Sequence, residues 1–285
     1  MRPFAYVRPT TLADALGTLA RHGANARVLA GGTDVLMRLR AGHMRPDVVV
    51  DIKDIAELSD EVVETGGVIR IGARVVMTDL VRDDRIRRHF PALVDSAAVV
   101  GSIQIRNRAT AAGNLCNASP AADTAPTFLV YGATMTLVGP GGQRDVPLTE
   151  FFLGPGKTVL QIGELVSSID LPVPAARTGS AFGRITRRYG VDLATINLAC
   201  RVDDTGDTRF AYGAVGPRPF LVRDRSGVLA DPSAPQAAKT TVLRELIAHA
   251  SPITDVRGGR DYRLAMLDVM SRRALDTSLA QLRAS

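Results

Sequence analysis

The stretch Thr110-Ala111-Ala112-Gly113-Asn114, running on through Cys116, Asn117, Ser119 and Pro120 to Asp123, decides how the rest of the chain is read. It pairs with an earlier stretch, Leu29-Ala30-Gly31-Gly32-Thr33-Asp34. Each joins an apolar segment to one of helical character, and each offers backbone N–H groups beside small side chains. A dinucleotide pyrophosphate needs close backbone approach, many donors and little bulk, and such turns supply all three. In the first, the N–H groups of Gly32, Thr33 and Asp34 can converge on phosphate oxygens, helped by the Thr33 hydroxyl and a following helix dipole. An ordinary strand–turn–helix junction uses the same glycines for the turn alone, and both readings stand. In the second, the Asn114 amide can read a ring edge or a phosphate, and Asp123 offers an acceptor to a ribose or an amino group. Alternatively, Asn114, Asn117 and Ser119 satisfy loop backbone groups. Arg106 and Arg108 either neutralise phosphate or sit in solvent.

Working outward, Thr10 or Thr11 caps a helix whose apolar face carries Leu12, Ala15, Leu16, Leu19 and Ala20 and which stops at Gly23. Arg27 to Ala30 and Val48 to Val50 are short buried strands, so βα alternation predicts a small α/β subdomain over about 1–56. From about 57 to 175 the pattern becomes Val68–Gly72 as a half-buried strand, a helix capped by Thr78, a helix from Pro91 and a helix from Thr124. Strands at Thr134–Val138 and Leu165–Leu171 complete this second subdomain. Pro172-Val173-Pro174-Ala175-Ala176 is a linker. Beyond it, over 177–285, come three strands (Ser180–Thr186, Leu193–Val202, Arg209–Val215) and two helices (about 236–250 and 261–282). The last helix carries Tyr262, Met266, Val269, Met270 and Ala274 at helical spacing. The fold expected is α+β: two α/β subdomains plus a C-terminal domain of a three-stranded antiparallel sheet with helices.

Hydrophobic residues at 46% and charged residues at 22% predict an ordinary globular core. The net charge of +6 comes almost entirely from arginine, with lysine only at 53, 157 and 239. No basic run interleaved with aromatics and no zinc-finger spacing occurs, which argues against nucleic acid. The apolar runs fall short of the roughly 20 residues that span a bilayer, and Met1-Arg2-Pro3-Phe4 lacks a signal-peptide pattern, so a cytoplasmic protein without membrane insertion is expected. Cys116 and Cys200 are too few for an iron–sulfur or zinc site. His22, His43, His89 and His249 fall at helix ends or in loops without metal-ligand spacing. There is no nucleophile elbow, P-loop or Gly-x-Gly-x-x-Gly, so no catalytic residue and no metal site is nominated. A cofactor would carry the reactive atoms.

Several segments together resemble the FAD-binding medium subunit of the molybdenum hydroxylases, the carbon monoxide dehydrogenase and xanthine dehydrogenase family. They are Gln104-Ile105-Arg106-Asn107, Thr110 to Asn114, Asn117 to Pro126, Phe151-Phe152-x-Gly154-Pro155-Gly156, Gly163-Glu164-Leu165, and Phe182-x-Arg184 with Arg188, Asp192 and Ala194. The resemblance covers the whole chain. It implies a PCMH/vanillyl-alcohol-oxidase-type FAD domain followed by the C-terminal domain typical of these flavoproteins. It also implies that Leu29 opens the first cofactor-binding loop and that Ala30, Gly31, Gly32, Thr33, Asp34, Val35 and Thr110, Ala111, Ala112, Gly113, Asn114 hold the pyrophosphate. Asp123 would hold the ribose or adenine end, Leu165 would lie near the flavin, Cys116 would offer backbone contacts, and Gly101 and Ile105 would line the approach.

Two positions depart from the family pattern. Ala112 stands where two consecutive glycines are usual, and Arg184, which the resemblance implies as a cofactor-binding residue near the flavin, stands where lysine is usual, a cation of different geometry. The implied partners are a large molybdopterin subunit and a small 2Fe-2S subunit, which keep those groups off this chain. The function implied is electron transfer from the small subunit through FAD to an external acceptor: NAD, quinone, oxygen or a carrier. A stand-alone FAD oxidoreductase and a flavin-free scaffold are the competing readings.

Overall fold

The computed structural model describes residues 2–284, which form three larger sheets and a two-stranded ribbon of Phe152–Gly154 with Lys157–Thr158. The first is parallel, in the order Ala5–Val7, Val48–Asp51, Ala26–Leu29. Val48, Val49, Val50 and Asp51 are all buried because the strand runs down the centre with both faces covered. Thr11 caps the helix Leu12–His22 by accepting from the Asp14 N–H, and Gly23 ends it at φ 54°. Ala15 and Leu19 bury their side chains against the sheet, while Ala20 faces outward.

The second sheet is antiparallel, in the order Val62–Thr65, Val68–Gly72, Leu165–Pro172, Thr134–Gly139, Gly142–Pro147. Its central strand pairs Ile169 with Ile71 on one side and Met135 on the other. Short helices from Met77 to Val130 pack against it around Phe90, Phe128, Phe151 and Phe152. Full burial of each such ring contributes ~2 kcal/mol. One helical expectation shifts. Thr78 is not a cap: Val76 is the N-cap of Met77–Arg82, and buried Thr78 instead donates to Asn107 Oδ1 at 2.6 Å. The helix then breaks at Asp83, whose carboxylate accepts from the Arg85 and Ile86 N–H groups and starts Asp84–His89.

The C-terminal sheet is antiparallel with four strands: Thr178–Ile185, Ile196–Asp203, Thr208–Gly213 and Phe220–Asp224. The fourth strand adds an edge to the three expected. It is short and follows Pro217-Arg218-Pro219, which hides it from a pattern search. Side chains alternate across a strand, so Leu198, Cys200, Phe210 and Tyr212 meet the helices Gln236–Ile247 and Arg260–Ala284, while Ala199 and Ala211 join the core built around the second sheet. Covered on both faces, Ile196–Asp203 is buried throughout. The long helix turns Arg263, Leu267, Met270, Ala274 and Leu275 inward, leaving Tyr262 48% exposed, so its buried face is rotated from the one expected. Tyr131 and Ser180 share a 2.6 Å hydrogen bond across the junction between the two regions. No helix among the described residues is long and apolar enough to cross a membrane.

Candidate functional site

The two glycine turns meet. Gly31 lies so close to the chain just before the second turn that a β-carbon there would stand 1.9 Å from the Arg108 carbonyl oxygen and 3.0 Å from Ala109 Cα. Only glycine permits that approach. Asn117 then ties the turns together by donating from Nδ2 to Asp34 Oδ1 at 3.2 Å. Between them opens a cleft of about 770 Å³, in the size range of sites that bury a large ligand.

The first turn leaves the strand Ala26–Leu29 and enters the helix Val35–Arg40 through Gly32, whose φ of 81° is in the left-handed region. The N–H groups of Gly32, Thr33 and Asp34 have no acceptor among the described residues. Asp34 occupies the N-cap position without a capping bond, so its carboxylate is free to take the Asn117 amide.

The second turn is the start of the helix Ala111–Cys116. Thr110 caps it, its hydroxyl accepting from Gly113 N–H at 3.0 Å, and Val75 O accepts the Ala111 N–H. That leaves the Ala112 N–H, an orphan donor of the first turn, without a partner among the described residues. Ala112 adopts helical backbone rather than a positive φ, so its β-carbon is accommodated without shifting the loop. Thr124 Oγ1 donates to Asn114 Oδ1 at 2.8 Å, which fixes the amide of this cleft-lining residue and leaves its NH₂ available to a guest.

Of the residues singled out from sequence, Ala30 to Val35, Gly101, Ile105, Thr110, Ala112, Gly113, Asn114, Cys116 and Leu165 line this cleft. Leu29, Ala111, Asp123 and Arg184 do not. Leu29 packs into a small cluster with Leu39 and Val49, and Ala111 is in the core. Asp123 is 8% exposed and turns away from the cleft, accepting from Asn197 Nδ2 at 3.0 Å with Arg184 Nε at 3.4 Å. Burial pushes its carboxyl up to about 6, against the opposing pull of Asn197 and Arg184. Arg184 also donates to the carbonyls of Val99 and Asp192, so it braces the cleft wall from behind.

Arg106 is not among the residues that line the cleft: it donates to the carbonyls of Val100 and Gly101 at 3.3 and 3.2 Å. Ser119 serves its own loop, accepting from the Ala121 N–H. Burial pushes the Cys116 thiol up to about 12, which leaves it a packing residue.

Sequence reasoning missed part of the wall. Arg38 and Arg45 bring positive charge to the wall, His43 lines it beside them, and Val191 reaches in from the C-terminal region. Glu164 lines it too, held below the usual carboxylate range by Arg144, which bonds both its oxygens at 2.8 Å. The basic run Arg38, Arg40, His43 and Arg45, close along the chain after the first glycine turn, was the available signal for the first group. Val191 carries none.

Comparison with known proteins gives a consistent picture. Residues 2–174 match the family described as the FAD binding domain in molybdopterin dehydrogenase, and residues 180–278 match the CO dehydrogenase flavoprotein C-terminal domain. The chain is 34% identical to the xanthine dehydrogenase FAD-binding subunit of Escherichia coli O157:H7, covering 97% of this chain and 96% of that one. It is 31% identical to the carbon monoxide dehydrogenase medium chain of Hydrogenophaga pseudoflava, covering 98% of each. The solved structure of reconstituted CO dehydrogenase from Oligotropha carboxidovorans superposes with a TM-score of 0.92 at 29% identity, over 98% of this chain and 99% of that one.

Proposed function

Because this chain belongs to the family of FAD-binding subunits of the molybdenum hydroxylases, we propose that it is the electron-transfer subunit of a heterotrimeric enzyme of that type. It is an oxidoreductase subunit whose cofactor is FAD. In the assembly, a small subunit delivers electrons from 2Fe-2S clusters, a large subunit oxidises the organic substrate at molybdopterin, and this chain passes the electrons to an external acceptor. Residues 1–175 hold the flavin and 177–285 close over its back.

One observation carries this reading. The two turns abut at Gly31 and Arg108, and the unpartnered N–H groups of Gly32, Thr33, Asp34 and Ala112 belong to the same cleft. Such a cradle fits a pyrophosphate, whose charge favours backbone donors and the N-terminal ends of two helices. Asn114 keeps its NH₂ available to the guest because Thr124 occupies its oxygen. Leu165 and Gly101 offer apolar wall to a ring system at the far end, and the backbone at Cys116 adds polar contact. When bound, FAD supplies the two-electron to one-electron exchange that no protein side chain here provides. The chain's own work is to bind it, fix its orientation and limit water around it.

Two titratable groups of the wall are poor proton donors: Glu164 is held below the usual carboxylate range by Arg144, and burial pushes the Cys116 thiol up to about 12. That favours electron transfer over a stand-alone oxidoreductase. The test is purification of the tagged chain from its native host. Flavin absorbance, molybdenum and iron content, and two copurifying chains are the expected result. A flavin-free chain that copurifies with neither partner would overturn the proposal.

A further inference from the structure

Only two non-glycine residues among those described have a positive φ, Ala118 at 46° and Ala214 at 60°. Such backbone persists where surrounding contacts over-determine it, and it concentrates at ligand clamps. Both residues belong to one junction. Ala118 opens the loop Ala118–Asp123 that follows the second glycine turn, and Ala214 donates its N–H to Pro120 O of that loop at 2.6 Å.

Beside it stands Asn197, fully buried on the strand Ile196–Asp203, on the face turned toward the FAD-type region. Its Nδ2 reaches Ala121 O at 3.4 Å, Ala122 O at 3.2 Å and Asp123 Oδ1 at 3.0 Å. Gly213, its partner across the ladder, makes room for it: a β-carbon at 213 would come within 2.0 Å of Asn197 Oδ1. That oxygen is buried without a hydrogen-bond partner, a cost that packing alone gives no reason to keep.

We infer that Asn197, with Gly213 and Ala214, is a latch by which the C-terminal domain sets the geometry of the FAD cleft. Asn197 is a positioning residue. It grips the Pro120–Asp123 loop, the loop leads directly into Thr124, and the Thr124 hydroxyl holds Asn114 in the cleft wall. The inference rests on the proposed reading of the cleft as the FAD site. It assigns to the C-terminal domain a role in FAD affinity beyond any contact made by its wall residue Val191.

The test uses the full-length chain with whatever subunits copurify, stripped of flavin and titrated with FAD while fluorescence quenching and visible circular dichroism are recorded. Asn197→Ala is expected to weaken FAD binding by about tenfold or more and to change the circular dichroism of the bound flavin, while the stripped protein still melts cooperatively. Gly213→Ala should reproduce the loss by displacing the Asn197 amide. The double variant should be no worse than Asn197→Ala alone, because the added methyl enters the vacated space. Should Asn197→Ala not fold, Thr124→Val decides the matter, since it cuts the last link to Asn114 and leaves the latch in place. It should show the same weakening. FAD affinity and circular dichroism unchanged in the folded Asn197→Ala protein, or in Thr124→Val where that stands in for it, would overturn the latch while leaving the cleft assignment intact. A wild-type protein that takes up no FAD would overturn both.

Discussion

Replacing Asp123 by asparagine should change how the stability of the flavin-free protein depends on pH, and the structure sets the size of the effect. The carboxyl is 8% exposed, and burial raises its pKa from an ordinary 3.8 to about 6, although Asn197 and Arg184 pull the other way. A folded state that holds a proton more tightly than the unfolded chain loses stability as pH rises between the two values. Below pH 4 the group is protonated in both states, and the native fold has its full stability with respect to this residue. From about pH 4 to 6 the unfolded chain ionises while the native one resists, and the difference accumulates at 1.36 kcal/mol per pH unit, to about 3 kcal/mol in total. Above pH 7 both states are ionised and the loss is constant.

An asparagine side chain has nearly the same shape and no proton to lose, so Asp123→Asn should lack this slope. Urea denaturation of both proteins across pH 4 to 7.5, followed by far-ultraviolet circular dichroism, checks it. Other titrating groups act equally in both and cancel in the comparison. At an m-value of about 3 kcal/mol/M, the wild-type midpoint should fall by roughly 1 M relative to the variant between pH 4 and 7. A midpoint difference that stays constant across this range would refute the reasoning, because Asp123 would then titrate as an exposed carboxylate does.

Gly31→Ala would place a methyl carbon 1.9 Å from Arg108 O, so the turns must part; a loss of ~3 kcal/mol or more is expected together with loss of flavin, and a variant with wild-type melting and flavin content would disprove the contact. Thr110→Ala removes the cap on Gly113 N–H and should cost about 1 kcal/mol in thermal melting; no measurable change would show that the cap carries no energy. Ala112→Gly restores the usual glycine pair but places glycine in a helix. A loss of ~0.5–1 kcal/mol with flavin affinity unchanged is expected, and a marked gain in affinity would mean that the Ala112 methyl crowds the cofactor.

What the sequence disclosed was local, and what it concealed was long-range. Leu29 to Asp34 was readable because a buried strand, two glycines and a capping residue follow one another along the chain. Yet the need for glycine at Gly31 arises from Arg108, which only the fold brings near. The α/β alternation of the first region and the strands Ile196–Asp203 and Thr208–Gly213 were legible from periodicity, while Phe220–Asp224 was masked by its prolines. The helix Arg260–Ala284 carries apolar residues on more than one face, so its spacing alone did not decide which face meets the sheet.

Asp123 is the instructive case. As an acceptor-only side chain in a cofactor motif, it pointed by type alone toward a ligand. Its direction is set instead by Asn197 and Arg184 from the C-terminal sheet. Asn197 itself offered one sign, as the polar residue amid the apolar run Ile196 to Cys200, where a buried amide must find partners. Ala118 and Ala214 offered none, because alanine has no local reason to adopt a positive φ. Contacts remote in sequence or across the junction hold them there: Ala118 O accepts the Gly156 N–H, and Ala214 is fixed between Pro120 O and the Arg263 guanidinium. The cradle is therefore encoded turn by turn, whereas its aim depends on residues that lie more than seventy positions further along the chain.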